Sequence, residues 1–309
     1  MRRGAAAGVA LLMGLSLVGC RFAPEPGEDP TSVVRVDPFG TTHLQVGTFN
    51  LDWLTADLPG DFEPRNERDV AMMASLIEAM DVDVLAVQEV DGSEAIASLG
   101  LDPIWSWSMG ATGWSQNQGI LWRTDRVTVT NVREIPLPIN DFPSKDPLVA
   151  DVVTSGGELE FTVVALHLNP YVGWSDARYR AEQVRDLALW LDGEGGAPPP
   201  AHDVIVLGDL NDTLDGLNDE IDALEPLEER FVFATADTDD GTNIPFGSQI
   251  DHVAIDPTLD LWREGRLTPN GVSVVHHDST APWSNYDGGL YNDQTISDHR
   301  PVYVDLELE

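Results

Sequence analysis

The sequence predicts an α/β protein in which a two-sheet core is covered by helices. Short apolar runs of strand length recur along the chain, and two longer stretches carry apolar residues at helical spacing. No fixed-period repeat is present, which excludes a solenoid or a propeller.

Residues 1–20 have the pattern of a secretory signal, with Arg2 and Arg3 ahead of an apolar stretch, residues 9–18, too short to span a bilayer. Leu17-Val18-Gly19-Cys20 has the form of a bacterial lipobox, which would remove residues 1–19 and leave Cys20 as a lipidated first residue. The alternative is ordinary cleavage near Gly19 without lipid. Cys20 is the only cysteine, so no intrachain disulfide can form. Residues 20–42 contain Pro24, Pro26, Pro30 and Pro38 with several acids, and are expected to be a flexible tether. The expected product is a cell-envelope lipoprotein with one large domain at 43–309.

Within that domain, apolar runs at residues 43–49, 84–87, 161–166 and 204–207 predict buried strands. Further strands are expected at 119–123, 127–132, 149–153, 250–255 and 301–308. Residues 66–80 place Val70, Met73, Ala74 and Ile77 on one helical face, and residues 176–192 do the same with Val184, Leu187, Ala188 and Leu191. The Gly- and Pro-rich stretch 193–201 is expected to be a loop.

The buried runs end in polar residues. Asn50 and Asp52 follow the first, Glu89 the second, His167 the third, and Asp209 and Asn211 the fourth, with Asp298-His299 near the C-terminus. Such endings suggest one converging site. Carboxylates and amides there suit a hard divalent cation, Mg²⁺ or Mn²⁺, and two histidines can move protons around a phosphate.

In Thr48-Phe49-Asn50-Leu51-Asp52, Gln88-Glu89-Val90, Ala165-Leu166-His167-Leu168, Gly208-Asp209-Leu210-Asn211-Asp212, Ile250-Asp251-His252 and Ser297-Asp298-His299-Arg300-Pro301 the chain resembles the endonuclease/exonuclease/phosphatase superfamily. The segments occur in the family's order and span nearly all of the chain after the tether. The resemblance implies a four-layer α/β/β/α sandwich of the DNase I type with its site at one open end. It also implies roles. Glu89, assisted by Asp52 and Asp298, would hold the metal. Asn50 and Asn211 would hold the substrate phosphate. Asp209 would orient or deprotonate the attacking water, and His167 would protonate or stabilise the leaving oxygen. His299, oriented by Asp251, would contact the scissile phosphate. Histidine at 167 fits the DNase I-like, sphingomyelinase-like and phosphatase branches, whereas apurinic endonucleases typically carry tyrosine there.

Charge limits the partners. The chain holds 53 acidic against 17 basic residues, a net of −36, and loss of residues 1–19 would leave 15 basic residues and a net of −38. Such a surface repels polyanions, so no basic face for tight or processive DNA binding is expected. A nuclease remains compatible, because a bound cation reverses the potential locally. The expected activity is therefore metal-dependent hydrolysis of phosphoric esters, with DNA or RNA phosphodiesters as the favoured substrate. A phospholipid or inositol-phosphate hydrolase and a catalytically idle acidic binding lipoprotein are the alternatives.

Other residues have two readings each. Trp105, Trp107 and Trp114 are core aromatics or a rim on which bases or sugars stack. Arg178 and Arg180 begin a helix in solvent or meet distal phosphates. Residues 237–241 superficially resemble a calcium loop, but without the acid spacing or terminal glutamate of an EF-hand, so a structural Ca²⁺ is the weaker reading. His252, His276 and His277 are expected to be structural or exposed, and His202 has no role. Lys145 is the chain's only lysine.

Overall fold

A computed structural model describes residues 42–55, 67–139, 145–157, 159–194, 196–217, 221–238, 240–259, 267–280 and 296–308. The signal at 1–19, Cys20 and all but the last residue of the tether lie outside the described residues, as does Asp239 of the calcium-like run.

In chain order the elements are β1 (Thr42–Leu54), α1 (Glu67–Met80), β2 (Val84–Val90), α2 (Ser93–Ser98), β3 (Trp105–Met109), β4 (Asn117–Arg123), β5 (Val127–Glu134), β6 (Leu148–Thr154) and β7 (Glu160–His167). There follow α3 (Trp174–Leu191), β8 (Val204–Asp209), α4 (Glu225–Glu228), β9 (Val232–Phe233), β10 (Asp251–Ile255), β11 (Leu267–Val274) and β12 (Val302–Leu308). They form two six-stranded sheets, ordered β11-β12-β1-β2-β4-β3 and β5-β6-β7-β8-β10-β9. Among the described residues only β1 with β2 and β7 with β8 pair in parallel.

Strand alternation builds the layers, because successive side chains point to opposite faces. Val84 and Ala86 of β2, Val163 and Ala165 of β7, and Ile205 and Leu207 of β8 meet in the apolar layer between the sheets. Their neighbours Leu85 and Val87 turn outward to pack with Met73 and Ile77 of α1. Val164, Leu166, Val204 and Val206 turn outward on the other side, against Val184, Leu187 and Trp190 of α3. Three buried layers separated by two sheets give the expected α/β/β/α sandwich.

The same alternation positions the site. Asn50 continues the parity of Leu44 and Val46, His167 that of Val163 and Ala165, and Asp209 that of Ile205 and Leu207, while Asp251 shares a face with Val253 and Ile255. All four therefore lie between the sheets at one end, where the apolar filling gives way to polar side chains. At the start of β2, the opposite end, buried Asp83 accepts from Gln45 N and pairs with Arg126, which also bonds Asp81.

Candidate active site

Glu89 breaks the alternation that places its neighbours. Parity with Leu85 and Val87 would send it outward, but its φ is 59° and the β2 register shifts between Val87 and Val90. This bulge lets Val90 return to the outer core while Glu89 turns into the site. Burial raises the Glu89 carboxyl to about 7, with Asp52 and Asp298 adding to the effect against the opposing charges of Lys145 and His299.

The pairs Asn50/Asp52 and Asp209/Asn211 are Asx turns that also serve the site. Asp52 N donates to Asn50 Oδ1 (2.9 Å), and Asn211 N donates to Asp209 Oδ1 (2.9 Å). Asp52 and Asn211 take left-handed backbone, φ 44° and 51°, so the extended strand geometry ends there. Asn50 Nδ2 donates to Asp209 Oδ2 (3.0 Å), so in this arrangement it positions Asp209. One amide hydrogen of Asn211 goes to the Leu168 carbonyl (3.1 Å). Gly208 lets this end of β8 close up, because a Cβ there would sit 2.3 Å from Leu166 O.

His299 is buried and held from several sides. Its Nδ1 bonds Asp251 Oδ2 (2.8 Å), its N–H donates to Ser297 Oγ (2.9 Å), and that hydroxyl donates to Asn50 O (2.7 Å). His277 Nε2 donates to the His299 carbonyl (2.8 Å). Burial opposes charge on the ring, but Asp251 and Asp209 outweigh it and raise its pKa well above the ordinary 6.5. Nε2 faces Asp209 Oδ2 and Asp298 Oδ1, each at 3.9 Å. Asp209 is raised to about 6 by burial and then by Asp251, which suits a group that takes and returns a proton.

Across Asp209 from His299 stands His167, fully buried, with Nε2 3.8 Å from Asp209 Oδ2 and 3.6 Å from Glu89 Oε1. Burial, with the charges of Lys145 and His299, drives its pKa well below 6.5. A neutral ring stabilises a leaving oxygen by hydrogen bonding and is a poor source of a proton, so the stabilising role is the one its surroundings support.

Two donor sets could hold a cation. Atoms of Asp209, Asp251 and His299 lie within 4.8 Å of one another. Within that set, however, His299 Nδ1 and Asp251 Oδ2 already share a proton at 2.8 Å, so we read the set as acid-base machinery. Glu89, Asp52 and Asp298 offer hard oxygens, and their mutual repulsion at Glu89 is what a divalent cation would relieve.

The remaining expectations divide. His252 is structural: it is buried, its Nε2 donates to Asp212 O (3.0 Å) and its Nδ1 bonds Thr235 Oγ1 (3.1 Å). Trp105 is core, Trp107 packs beside it, and Trp114 is 71% exposed in the β3–β4 loop. Arg180 fits neither a solvated helix start nor a phosphate contact, because it is fully buried against Asp212. Asp212 thereby pairs with Arg180 while also accepting from Thr213 N in its own turn. Arg178 is exposed, bridges Glu182 (3.1 Å) and lies over the Trp174 ring.

Sequence reasoning assigned no role to Lys145, which the structure places with Nζ 3.5 Å from His167 Nε2. Its status as the only lysine was the available signal. Asn243, also missed, pairs with His299 as an isolated bridge and places Nδ2 3.5 Å from His299 Nε2.

The family model for the Endonuclease/Exonuclease/phosphatase family matches residues 47–299. No curated protein matches the chain. Among solved structures, an endonuclease/exonuclease/phosphatase family protein from Bacteroides thetaiotaomicron superposes with a TM-score of 0.62 at 16% identity, covering 87% of this chain and 99% of that one. D. rerio TDP2 complexed with single strand DNA product gives 0.61 at 17%, covering 85% and 98%. A Bacteroides thetaiotaomicron mannosyl-6-phosphatase gives 0.59 at 18%, covering 85% and 99%. These likenesses show a shared fold, and the match over residues 47–299 shows the lineage. The chain belongs to the endonuclease/exonuclease/phosphatase family, whose members hydrolyse phosphoesters.

Proposed function

We propose that the protein is an exported, Mg²⁺-dependent hydrolase of nucleic-acid phosphodiesters, held at a membrane through lipid on Cys20. The observation that carries the chemistry is the buried run Asp251–His299–Asp209, flanked by Asn50 and His167 and facing the carboxylates of Glu89, Asp52 and Asp298. A buried acid–base run beside a set of carboxylates supports an enzyme over an idle binding protein.

Asp209, oriented by Asn50 and by Asn211 N, accepts a proton from the water that attacks phosphorus. His299 as imidazolium, its Nδ1–H on Asp251, directs Nε2–H toward the charge that develops on phosphate oxygen. His167 stabilises the oxygen that leaves. Glu89, Asp52 and Asp298 would hold a divalent cation, which would supply Lewis-acid charge at the same centre.

Two features support a nucleic-acid substrate. Loops at the site end carry exposed Trp114, Tyr171 and Phe246, and the start of α3 exposed Trp174, on which bases can stack. One fold relative was solved with single strand DNA product. The aromatic mouth equally suits contact with a lipid surface, so a phospholipid hydrolase is the second reading.

The test is Mg²⁺-dependent nicking of supercoiled plasmid by the domain, with RNA, sphingomyelin, inositol phosphates and a sugar phosphate run alongside. Glu89→Ala, Asp209→Ala and His299→Ala should each lose at least about a hundredfold in rate while staying folded. Full activity in the His299 variant would sink the mechanism. Turnover of lipid or sugar phosphate alone would sink the nucleolytic reading.

A further inference from the structure

Lys145 sits in the approach to β6 with left-handed backbone, φ 45°. For a non-glycine residue that conformation is strained, and the structure clamps the peptide group that follows it at both its carbonyl and its N–H. Gln118 Nε2 donates to the Lys145 carbonyl (3.1 Å), and the next amide, Asp146 N, donates to Thr112 Oγ1 (2.9 Å). Thr112 is itself fixed, its hydroxyl donating to Glu134 Oε1 (2.8 Å). Buried Gln118 and the Thr112–Glu134 pair thus aim one side chain inward.

The ammonium lies 3.5 Å from His167 Nε2, and it acts through its charge on Glu89 and Asp209. Among the described residues it makes no ion pair within 4.0 Å. Fully buried Arg180, by contrast, is committed to Asp212. A largely buried, unpaired ammonium on strained backbone costs stability wherever it is found. Here it stands in a mouth whose other fixed charges are mostly carboxylates, in a chain of net −36. A phosphodiester entering that mouth brings further negative charge, which grows as water adds to phosphorus.

We propose that Lys145 is a catalytic residue whose ammonium donates a hydrogen bond to a phosphate oxygen on the His167 side of the site. His167 Nε2, accepting from Nζ, orients the ammonium, so that the stabilisation of the leaving oxygen on this side is delivered through the Lys145 N–H, while His299 meets the phosphate from across Asp209. No proton leaves Lys145 in this role. The proposal rests on the phosphoester-hydrolase reading and extends it by one named contact.

A single lysine makes the test unusually clean. Reductive methylation with ¹³C-formaldehyde keeps the charge and labels one ε-amine, whose resonance is followed while inorganic phosphate is added with Mg²⁺. A saturable shift is expected, and its absence would overturn the assignment. In parallel, Lys145→Met should lower kcat/KM on a phosphodiester by about a hundredfold or more, the scale of one lost electrostatic contact. Lys145→Arg should recover most of that, whereas a mere counter-ion to Glu89 would leave phosphate affinity unchanged in Lys145→Met. Wild-type cleavage rates in Lys145→Met would also overturn the assignment. A phosphate-dependent shift in a protein that cleaves no diester would support the Lys145 contact while removing the nucleolytic reading.

Discussion

Replacing Arg180 by methionine should cost this protein both stability and activity, because one buried guanidinium ties together the two loops that follow His167 and Asp209. Nε and Nη2 donate to Asp212 Oδ2 (3.1 and 3.0 Å), and Nη1 donates to the carbonyls of Asn169 (3.2 Å) and Tyr171 (2.6 Å). Both Arg180 and Asp212 are fully buried. Methionine keeps much of the aliphatic volume but leaves the Asp212 carboxylate without its counter-charge. Breaking such a pair costs about 3–5 kcal/mol. At about 2–4 °C per kcal/mol for a domain of this size, Tm should fall by about 6–20 °C. Asp212 Oδ1 also accepts from Thr213 N and Leu217 N, so the loop carrying Asn211 should loosen and kcat should fall even well below Tm. Thermal and urea unfolding followed by circular dichroism, with plasmid nicking at low temperature, measures both effects. The double variant Arg180→Met/Asp212→Leu should be less damaged than the sum of its parts, since it removes both charges. A single variant melting within about 2 °C of wild type, or strictly additive losses, would refute the coupling.

Three other outcomes are expected. Gly208→Ala should destabilise the protein by about 1–3 kcal/mol, because its Cβ would meet the backbone oxygen of Leu166, which cannot swing aside; denaturant midpoints check this. Hydrogen bonds from Arg300 hold Asp278 below the ordinary carboxylate pKa of 3.8, aided by the Arg300 charge against partial burial. A depressed carboxylate contributes stability that is present above its unfolded pKa and is lost as pH falls through the folded one. Asp278→Asn should therefore flatten the acid end of the stability profile, below about pH 4, which urea unfolding across that range would show. Trp114→Ala and Phe246→Ala should each raise KM for single-stranded nucleic acid about fivefold or more, corresponding to ~1 kcal/mol per stacked base, with kcat little changed; steady-state kinetics separates the two parameters.

The layers and the composition of the site were readable because both follow from period-two burial. Runs such as 161–166 and 204–207 are buried on both faces, and the first ionisable side chain at each C-terminal end falls at the open end of the sandwich. Elements without that signature escaped. In β3 the alternation of Trp105 and Trp107 with serines is a strand pattern, yet the tryptophans drew attention as an aromatic cluster. Pro269 and Gly271 interrupt β11, an edge strand whose register shifts between those two residues. Arg180 was legible in principle. It lies four and seven residues before Val184 and Leu187 on the buried face of α3, and that spacing outweighs the usual preference of arginine for water.

What the pattern could not give was the inward geometry, because the site is built where local rules are broken. Nine described non-glycine residues have left-handed backbone, and five of them, Asp52, Trp53, Glu89, Lys145 and Asn211, lie in or beside the catalytic centre. Trp114 and Tyr171 take the same conformation in loops at its mouth, each with its carbonyl fixed by a buried side chain, Asn117 and Arg180 respectively. Regular strands would have sent Glu89 into the outer core and left the mouth lined only by alternate residues of β1, β7, β8 and β10. The left-handed turns add a second set of side chains to the same small volume, with orientations that no periodicity encodes. Their cost is borne by the three apolar layers beneath, which is why variants that loosen the supports, Arg180 above all, should lose activity before the catalytic residues themselves are touched.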